Sequence, residues 1–159
     1  MSDRTNYFPN PRGRSWLMQP AELIDATFMA WSDAQPGFAL KNKTTTLGAY
    51  ARFRLTLPAG SKLVLLSQAG AASESDTYRG AVIEISDSSG NILAKTADYA
   101  SKQLLRLEFT VPADGAIDVK FRGKAGEETV TAFYFTRIVS AGEDEAFFDM
   151  ETQPIIHFQ

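Results

Sequence analysis

The stretch Tyr50-Ala-Arg-Phe-Arg-Leu-Thr-Leu57 decides the fold. Its odd positions, Ala51, Phe53, Leu55 and Leu57, are apolar, while Tyr50, Arg52, Arg54 and Thr56 are more polar. Successive side chains of an extended chain point to opposite faces. A period of two therefore sets one face on a core and the other toward water.

The same period recurs downstream. Pro58-Ala-Gly60 turns the chain into a more buried strand over Lys62–Ser67, and 68–76, rich in Ala, Ser and Gly, reads as a loop. Gly80–Ser86 alternates with Ala81, Ile83 and Ile85 on one side. Asp87-Ser-Ser-Gly-Asn91 is a turn, because Asp and Ser bond local backbone and Gly accepts positive φ, so Ile92–Ala97 returns as a hairpin partner. Leu105, Leu107, Phe109 and Val111 form another apolar set. Pro112-Ala-Asp-Gly115 then leads into Ile117, Val119 and Phe121. In Thr129–Ser140, Phe133, Phe135 and Val139 alternate with a second apolar set, Tyr134 and Ile138, so both faces are expected to be covered. About seven short strands between 48 and 140, joined by Gly- and Pro-bearing turns, favour a sandwich or barrel over βαβ units. The pattern Phe53–Gly60 echoes Leu107–Gly115, a likeness that any two hairpins with Pro-Ala turns would share.

Upstream, prolines 9, 11, 20 and 36 break a segment without clear period. Pro20–Trp31 fits either a short helix, with proline at its first position, or an extended lead into a strand around Thr27–Trp31. Beyond 141 a polar break, Ala141–Glu145, precedes Phe147-Phe148 and Pro154-Ile-Ile-His-Phe158. The expected organisation is an N-terminal arm and lead-in over 1–45, a β-sandwich over 46–140 and a C-terminal arm over 141–159.

At 159 residues the chain suits one domain, able to bury roughly 68–70% of its unfolded surface without disulfides or metal. The lack of cysteine excludes a disulfide framework, a thiolate metal site and a cysteine nucleophile. A net charge of −3 argues against nucleic acid as a partner, although Arg4, Arg12 and Arg14 gather near one end and Glu143, Asp144 and Glu145 near the other. The face bearing Tyr50, Arg52 and Arg54 is the best nucleic-acid candidate, and solvent-facing charge explains it more simply. No apolar run approaches the roughly 20 residues of a membrane span, and Met1–Asn6 lacks the apolar region of a signal peptide.

Catalytic candidates are few. The one histidine, His157, stands third from the end, a poor place to hold a general base rigid, and a zinc site wants three or four ligands. A glycosidase would need two carboxylates across a cleft. Of those available, Asp87 and Asp114 are turn formers, and Glu84, Glu108 and Asp118 alternate with apolar neighbours, while Asp76 and Asp98 complete the set. No calcium-type Asp/Asn cluster and no glycine-rich phosphate loop is present. No cofactor, metal or enzymatic activity is expected. A carbohydrate platform needs exposed aromatic rings beside hydrogen-bonding groups. Tyr78 and Tyr99 meet that description, and Trp16 and Trp31 serve as further candidates.

Asn6-Tyr-Phe-Pro-Asn-Pro11 resembles the Asn-Leu-x-Pro-Asn-Pro opening of tail-associated structural proteins of bacteriophages, minor tail proteins in particular. In those proteins the opening precedes a jelly-roll domain similar to carbohydrate-binding modules. Trp31-Ser-Asp stands where a tryptophan often comes next. Gly80–Asn91 and Arg106–Pro112 are similar to successive strands of such modules, and Phe147-Phe148-Asp149 to their closing segment. Two positions depart from the pattern: Met150 replaces a glycine, and Thr136 stands where an aspartate is frequent.

The resemblance implies a non-enzymatic virion structural protein, tail-associated or a capsid decoration, assembled in the host cytoplasm. Its partners would be capsid or tail subunits and further copies of itself in the particle. The expected assembly contacts are Tyr7, Phe8, Pro9 and Pro11 at one end and Phe147, Phe148, Ile155, Ile156 and Phe158 at the other. The alternative is a carbohydrate-binding module recognising host surface glycans through Tyr78 and Tyr99.

Overall fold

A computed structural model describes residues 6–32, 34–43, 49–71, 82–96, 104–123 and 130–142. Ten strands fall among them: β1 (Glu22–Ile24), β2 (Ala26–Ala30), β3 (Gly37–Asn42), β4 (Tyr50–Thr56), β5 (Lys62–Ala71), β6 (Val82–Asp87), β7 (Ile92–Lys95), β8 (Leu104–Thr110), β9 (Ala116–Arg122) and β10 (Val130–Ser140). They form two five-stranded antiparallel sheets, in the orders β1-β4-β9-β6-β7 and β2-β3-β10-β5-β8. The protein is thus an all-β sandwich of jelly-roll type.

Seven of these strands, β4 to β10, occupy the region whose alternation predicted about seven. The burial of β4 repeats with period two, and Ala51, Phe53 and Leu55 point into the core. Between the sheets Phe8, Phe38, Phe53, Phe121 and Phe133 pack as one cluster with ring centroids 4.9–6.0 Å apart. Each buried Phe contributes about 1.5–3 kcal/mol from burial, and each good ring pair about 0.5–1.5 kcal/mol more.

The two Pro-Ala turns meet in space. Leu57 N donates to Gly115 O, Gly60 N to Val111 O and Val111 N to Ser61 O, all at 2.8–2.9 Å. Each corner carries the chain from one sheet to the other, β4 to β5 and β8 to β9. The sequence echo therefore marks two neighbouring corners of the sandwich. The hairpin turn between β6 and β7 is as expected, with Asp87 Oδ1 accepting from Ser89 N and Asn91 N and Gly90 at φ 89°.

Three features differ from the sequence expectation. First, β1, β2 and β3 lie within the 1–45 stretch expected as arm and lead-in, so the sandwich starts well before residue 46. Of the two readings of Pro20–Trp31, the extended one holds. Asp25, at φ 52°, makes a corner that passes the chain from β1 in one sheet to β2 in the other. Asp is one of the few residues other than Gly that enter this left-handed conformation, since a short polar side chain can bond locally there.

Second, the alternation of β10 is interrupted. Phe135 takes φ 55° and the register to β5 shifts between Tyr134 and Arg137. A β-bulge inserts an extra residue and so reverses the facing of the rest of the strand. Phe133 and Ile138 consequently share the core, while Val139 turns outward to pack with Val64 and Leu66.

Third, the segment from Asn6 to Gly13, expected as part of an arm, is built into the sandwich. Asn6 fills the bulge: its Nδ2 donates to Thr136 O at 3.3 Å, and its Oδ1 accepts from Ile138 N and Phe8 N at 3.0 Å. Tyr7 N donates to Ile138 O at 2.8 Å. Phe8, 1% exposed, then enters the aromatic cluster, with Tyr7 packed against that core and Pro11 buried. Phe8 and Pro11 are covered within this chain and have no surface to offer a partner; Tyr7 and Pro9 are half-buried. Phe147, Phe148, Ile155, Ile156 and Phe158 lie outside the described residues.

Candidate functional site

β1 and β2 are edge strands of opposite sheets, joined at Asp25, and together they line one side of the sandwich. The loop after Phe8 runs along that side. It is fixed from within by Asn10, whose side chain is fully buried. Asn10 Oδ1 accepts from Arg14 N at 2.8 Å, and Asn10 Nδ2 donates to Arg14 O at 3.0 Å and to Met18 O at 2.9 Å. Gln19 Nε2 adds bonds to Arg14 O and Leu17 O, both 2.9 Å.

Gly13 lets the loop lie flat on the sheet. At φ 67°, a Cβ there would stand 2.8 Å from Phe38 Cβ and 2.9 Å from Met29 O, closer than any side chain fits. Both the conformation and the contact require glycine.

This scaffold displays aromatic surface. Trp16 is 73% exposed and Trp31, just past the end of β2, is 36% exposed. Leu17 and Met18 of the same loop, and Leu23 and Ile24 of β1, are exposed as well. The Arg14 guanidinium sits over the Trp16 ring, 5.7 Å from its centroid, a cation–π contact that holds the ring although water surrounds most of it. Two adjoining clefts share Arg14 and Ala30 as a common wall. One, about 170 Å³, is lined by Arg12, Arg14, Ala30, Trp31 and Ser32. The other, about 290 Å³, lies against Trp16, Gln19 and Phe28. A tryptophan held out in water beside open clefts is the kind of apolar surface that marks a ligand site.

The outward face of the β1-β4-β9-β6-β7 sheet carries a run of paired polar side chains. Tyr50 Oη donates to Glu22 Oε1 at 2.6 Å, Arg52 bridges Glu22 and Asp118 at 3.1 Å each, and Arg54 pairs with Asp118 at 3.0 Å. Lys120 lies over the Tyr50 ring at 4.5 Å and reaches Glu84 at 3.7 Å. The Tyr50 hydrogen bond, with Arg52 beside it, holds the Glu22 carboxyl below its ordinary value, and the same bond pushes the Tyr50 hydroxyl up. Arg54 and Arg52 hold Asp118 below its ordinary value. The two arginines considered for nucleic acid are thus paired with Asp118 and Glu22.

Among the described residues, the two turn carboxylates considered for hydrolysis are engaged locally. Asp87 is lowered by the backbone N–H and side chain of Asn91, and Asp114 by Ala116 N and the Ser88 hydroxyl. A general acid needs a raised pKa, and both shifts run the other way. No three metal-ligating side chains cluster among the described residues. Tyr78, Tyr99, Asp76, Asp98 and His157 lie outside them.

Sequence reasoning named Trp16 and Trp31 as candidates and noted Arg12 and Arg14 only as charge gathered near one end; it assigned no role here to Asn10 or Gln19.

No protein-family model matches the sequence, and no curated protein is similar to it. Solved structures do share its fold. The carbohydrate-binding module CBM6cm-2 from Cellvibrio mixtus lichenase 5A, in complex with cellotriose, superposes with TM-score 0.55 at 10% identity, covering 86% of this chain and 98% of that one. A CBM4 structure gives TM-score 0.54 at 13% identity, over 74% and 76% of the two chains. TmCBM61 in complex with β-1,4-galactotriose gives 0.52 at 14% identity, over 84% and 97%. At such identities the likeness shows a shared jelly-roll fold.

Proposed function

We propose that this domain is a non-catalytic carbohydrate-binding module whose ligand lies along the β1–β2 side, on Trp16 and Trp31. The observation that carries the reading is Trp16: 73% exposed, gripped by Arg14, on a loop fixed by Asn10. An exposed Trp forgoes burial worth several kcal/mol by area, and a preorganised ring gives a sugar's C–H face a platform at low entropic cost. The shared fold with modules solved in complex with cellotriose and galactotriose supports the same reading.

A glycan array followed by calorimetry tests it, with Trp16→Ala and Trp31→Ala as controls. The expected result is binding by the wild type and a loss of about tenfold or more in each variant. Binding unaffected by both substitutions would place the site elsewhere, on Tyr78 and Tyr99 or beyond.

The likeness of Asn6–Pro11 to phage tail proteins supports a setting on a virion, where capsid or tail subunits are the neighbours and the ligand is a host surface glycan. With Phe8 in the core, docking in that setting falls to other parts of the chain, of which the sequence names Phe147–Phe158. Copurification of the protein with particles tests the setting independently of the glycan.

A further inference from the structure

We propose that the outer face of the β2-β3-β10-β5-β8 sheet docks the chain's own C-terminal segment, with Phe147 and Phe148 seated on Val64, Leu66 and Val139. This goes beyond the carbohydrate reading and does not depend on it.

Leu63 and Leu65 of β5 and Ile138 of β10 belong to the core between the sheets. Alternation therefore turns Val64, Leu66 and Val139 to the outside of the sandwich. There Val64 stands in register with Val139, and Leu66 with Arg137. An outer face ordinarily meets water, yet Val64 is 0%, Leu66 2% and Val139 3% exposed. These side chains are covered. Among the described residues, Ala141 packs against them. The far flank limits the cover, because Glu108 opposite Val64 and Arg106 opposite Leu66 are exposed and pair with each other at 2.6 Å. The cover therefore lies over β10 and β5 and stops short of β8.

The course of the chain says which segment this is. Ala141 N donates to Lys62 O at 3.2 Å, and Gly142, at φ 83°, turns the chain off the end of β10 beside this patch. Glu-Asp-Glu-Ala over 143–146 then leads to Phe147 and Phe148. Those five steps from Gly142 reach at most about 17 Å, enough to return over two strands about 4.8 Å apart. The two corners at this end of the sheet, β4 to β5 and β8 to β9, are bonded to each other. The strands β3, β5, β8 and β10 meet 44–48, 72–81, 97–103 and 124–129 at the opposite end, where Ala71 pairs with Thr131, Gln68 with Leu104 and Lys41 with Val130. Residues 1–5 are polar apart from Met1. Two phenylalanines and three aliphatic side chains leave water together by meeting.

In the virion setting proposed above, docking on other subunits would then fall to Ile155, Ile156 and Phe158, beyond the seated pair.

The chain has no cysteine, so single thiols placed on this face report its cover cleanly. The experiment measures maleimide reactivity of the full chain carrying Leu66→Cys, Val139→Cys or Glu108→Cys. The thiols at 66 and 139 should react about a hundredfold more slowly than that at 108. Adding Phe147→Ser and Phe148→Ser should speed both by about tenfold or more and leave the thiol at 108 unchanged. Thermal unfolding confirms that each variant is folded. If the tail substitutions leave the rates at 66 and 139 unchanged, another segment is the cover and the proposal is wrong. Protection that fades on about hundredfold dilution would assign the cover to a second copy and overturn it too. Urea denaturation gives a second reading without thiols. Leu66→Ala and the pair Phe147→Ala, Phe148→Ala should together lose less stability than the sum of their separate losses, because both remove one contact. Additive losses would count against the proposal.

Discussion

Asn10 holds Arg14 at both ends of its peptide backbone, accepting from Arg14 N at 2.8 Å and donating to Arg14 O at 3.0 Å. One fully buried amide thereby sets the residue that grips Trp16 and divides the two clefts. The exposed aromatic surface is held by a polar contact buried beneath it.

Replacing that amide should affect stability and binding together. Asn10→Ala leaves Arg14 N without its acceptor and Met18 O without its donor, a loss of about 1–3 kcal/mol. Urea denaturation should show the drop, and glycan affinity should fall with it although no ligand contact is removed. Unchanged affinity in the folded variant would mean that the loop holds its shape by other means.

Phe8 and Trp16 should behave oppositely. Phe8→Ala opens a cavity among Phe38, Phe53 and Phe121, at a cost of about 3–5 kcal/mol. For a chain of this size that lowers Tm by about 6–20 °C. Trp16→Ala should stay within about 0.5 kcal/mol of wild type by the same measurement while abolishing binding. A Phe8→Ala protein of wild-type stability would restore the idea of an N-terminal arm.

Gly13→Ala should be harmful despite adding only a methyl group. The new Cβ meets Phe38 Cβ and Met29 O, both atoms of fixed strands, and the φ of 67° adds strain. Overpacking costs about 1–3 kcal/mol and the left-handed backbone about 1–2 kcal/mol. Tryptophan fluorescence should report displacement of Trp16 and Trp31, and denaturation the lost stability.

Acid should weaken the sandwich through its polar face. Asp118 has its carboxyl lowered from the ordinary 3.8, first by the Arg54 hydrogen bond and also by the charge of Arg52. A depressed folded-state pKa means that the unfolded chain binds the proton first as pH falls. The stabilisation is therefore fully present above the unfolded value and is lost as pH drops through the lower folded one. Asp118→Asn should flatten the acid limb of a stability–pH curve while leaving ligand binding on the β1–β2 side intact. An unchanged acid limb would show that Asp118 contributes little.

The sequence by itself determined the scaffold. Period-two alternation in Tyr50–Leu57, Leu105–Val111 and Ile117–Phe121, with turns at Asp87–Asn91 and Pro112–Gly115, requires only neighbours along the chain to be read. Alternation also fixes facing, because a one-residue slip would turn every apolar side chain to water.

What tertiary structure decided was the fate of aromatic residues outside that rhythm. Phe8 and Trp16 stand eight residues apart in the same irregular segment, and nothing local distinguishes them. Phe8 goes inward because Asn6 bonds Ile138, 132 residues away, at a bulge that alternation did not foretell. Trp16 stays outside because Asn10 and Gly13 turn the loop against β2, at a distance from the core that opens only once both sheets exist. Burial of these rings is a property of long-range contacts. The sequence alone therefore named the sandwich, and the folded chain alone separated the ring that holds it together from the ring it leaves in water.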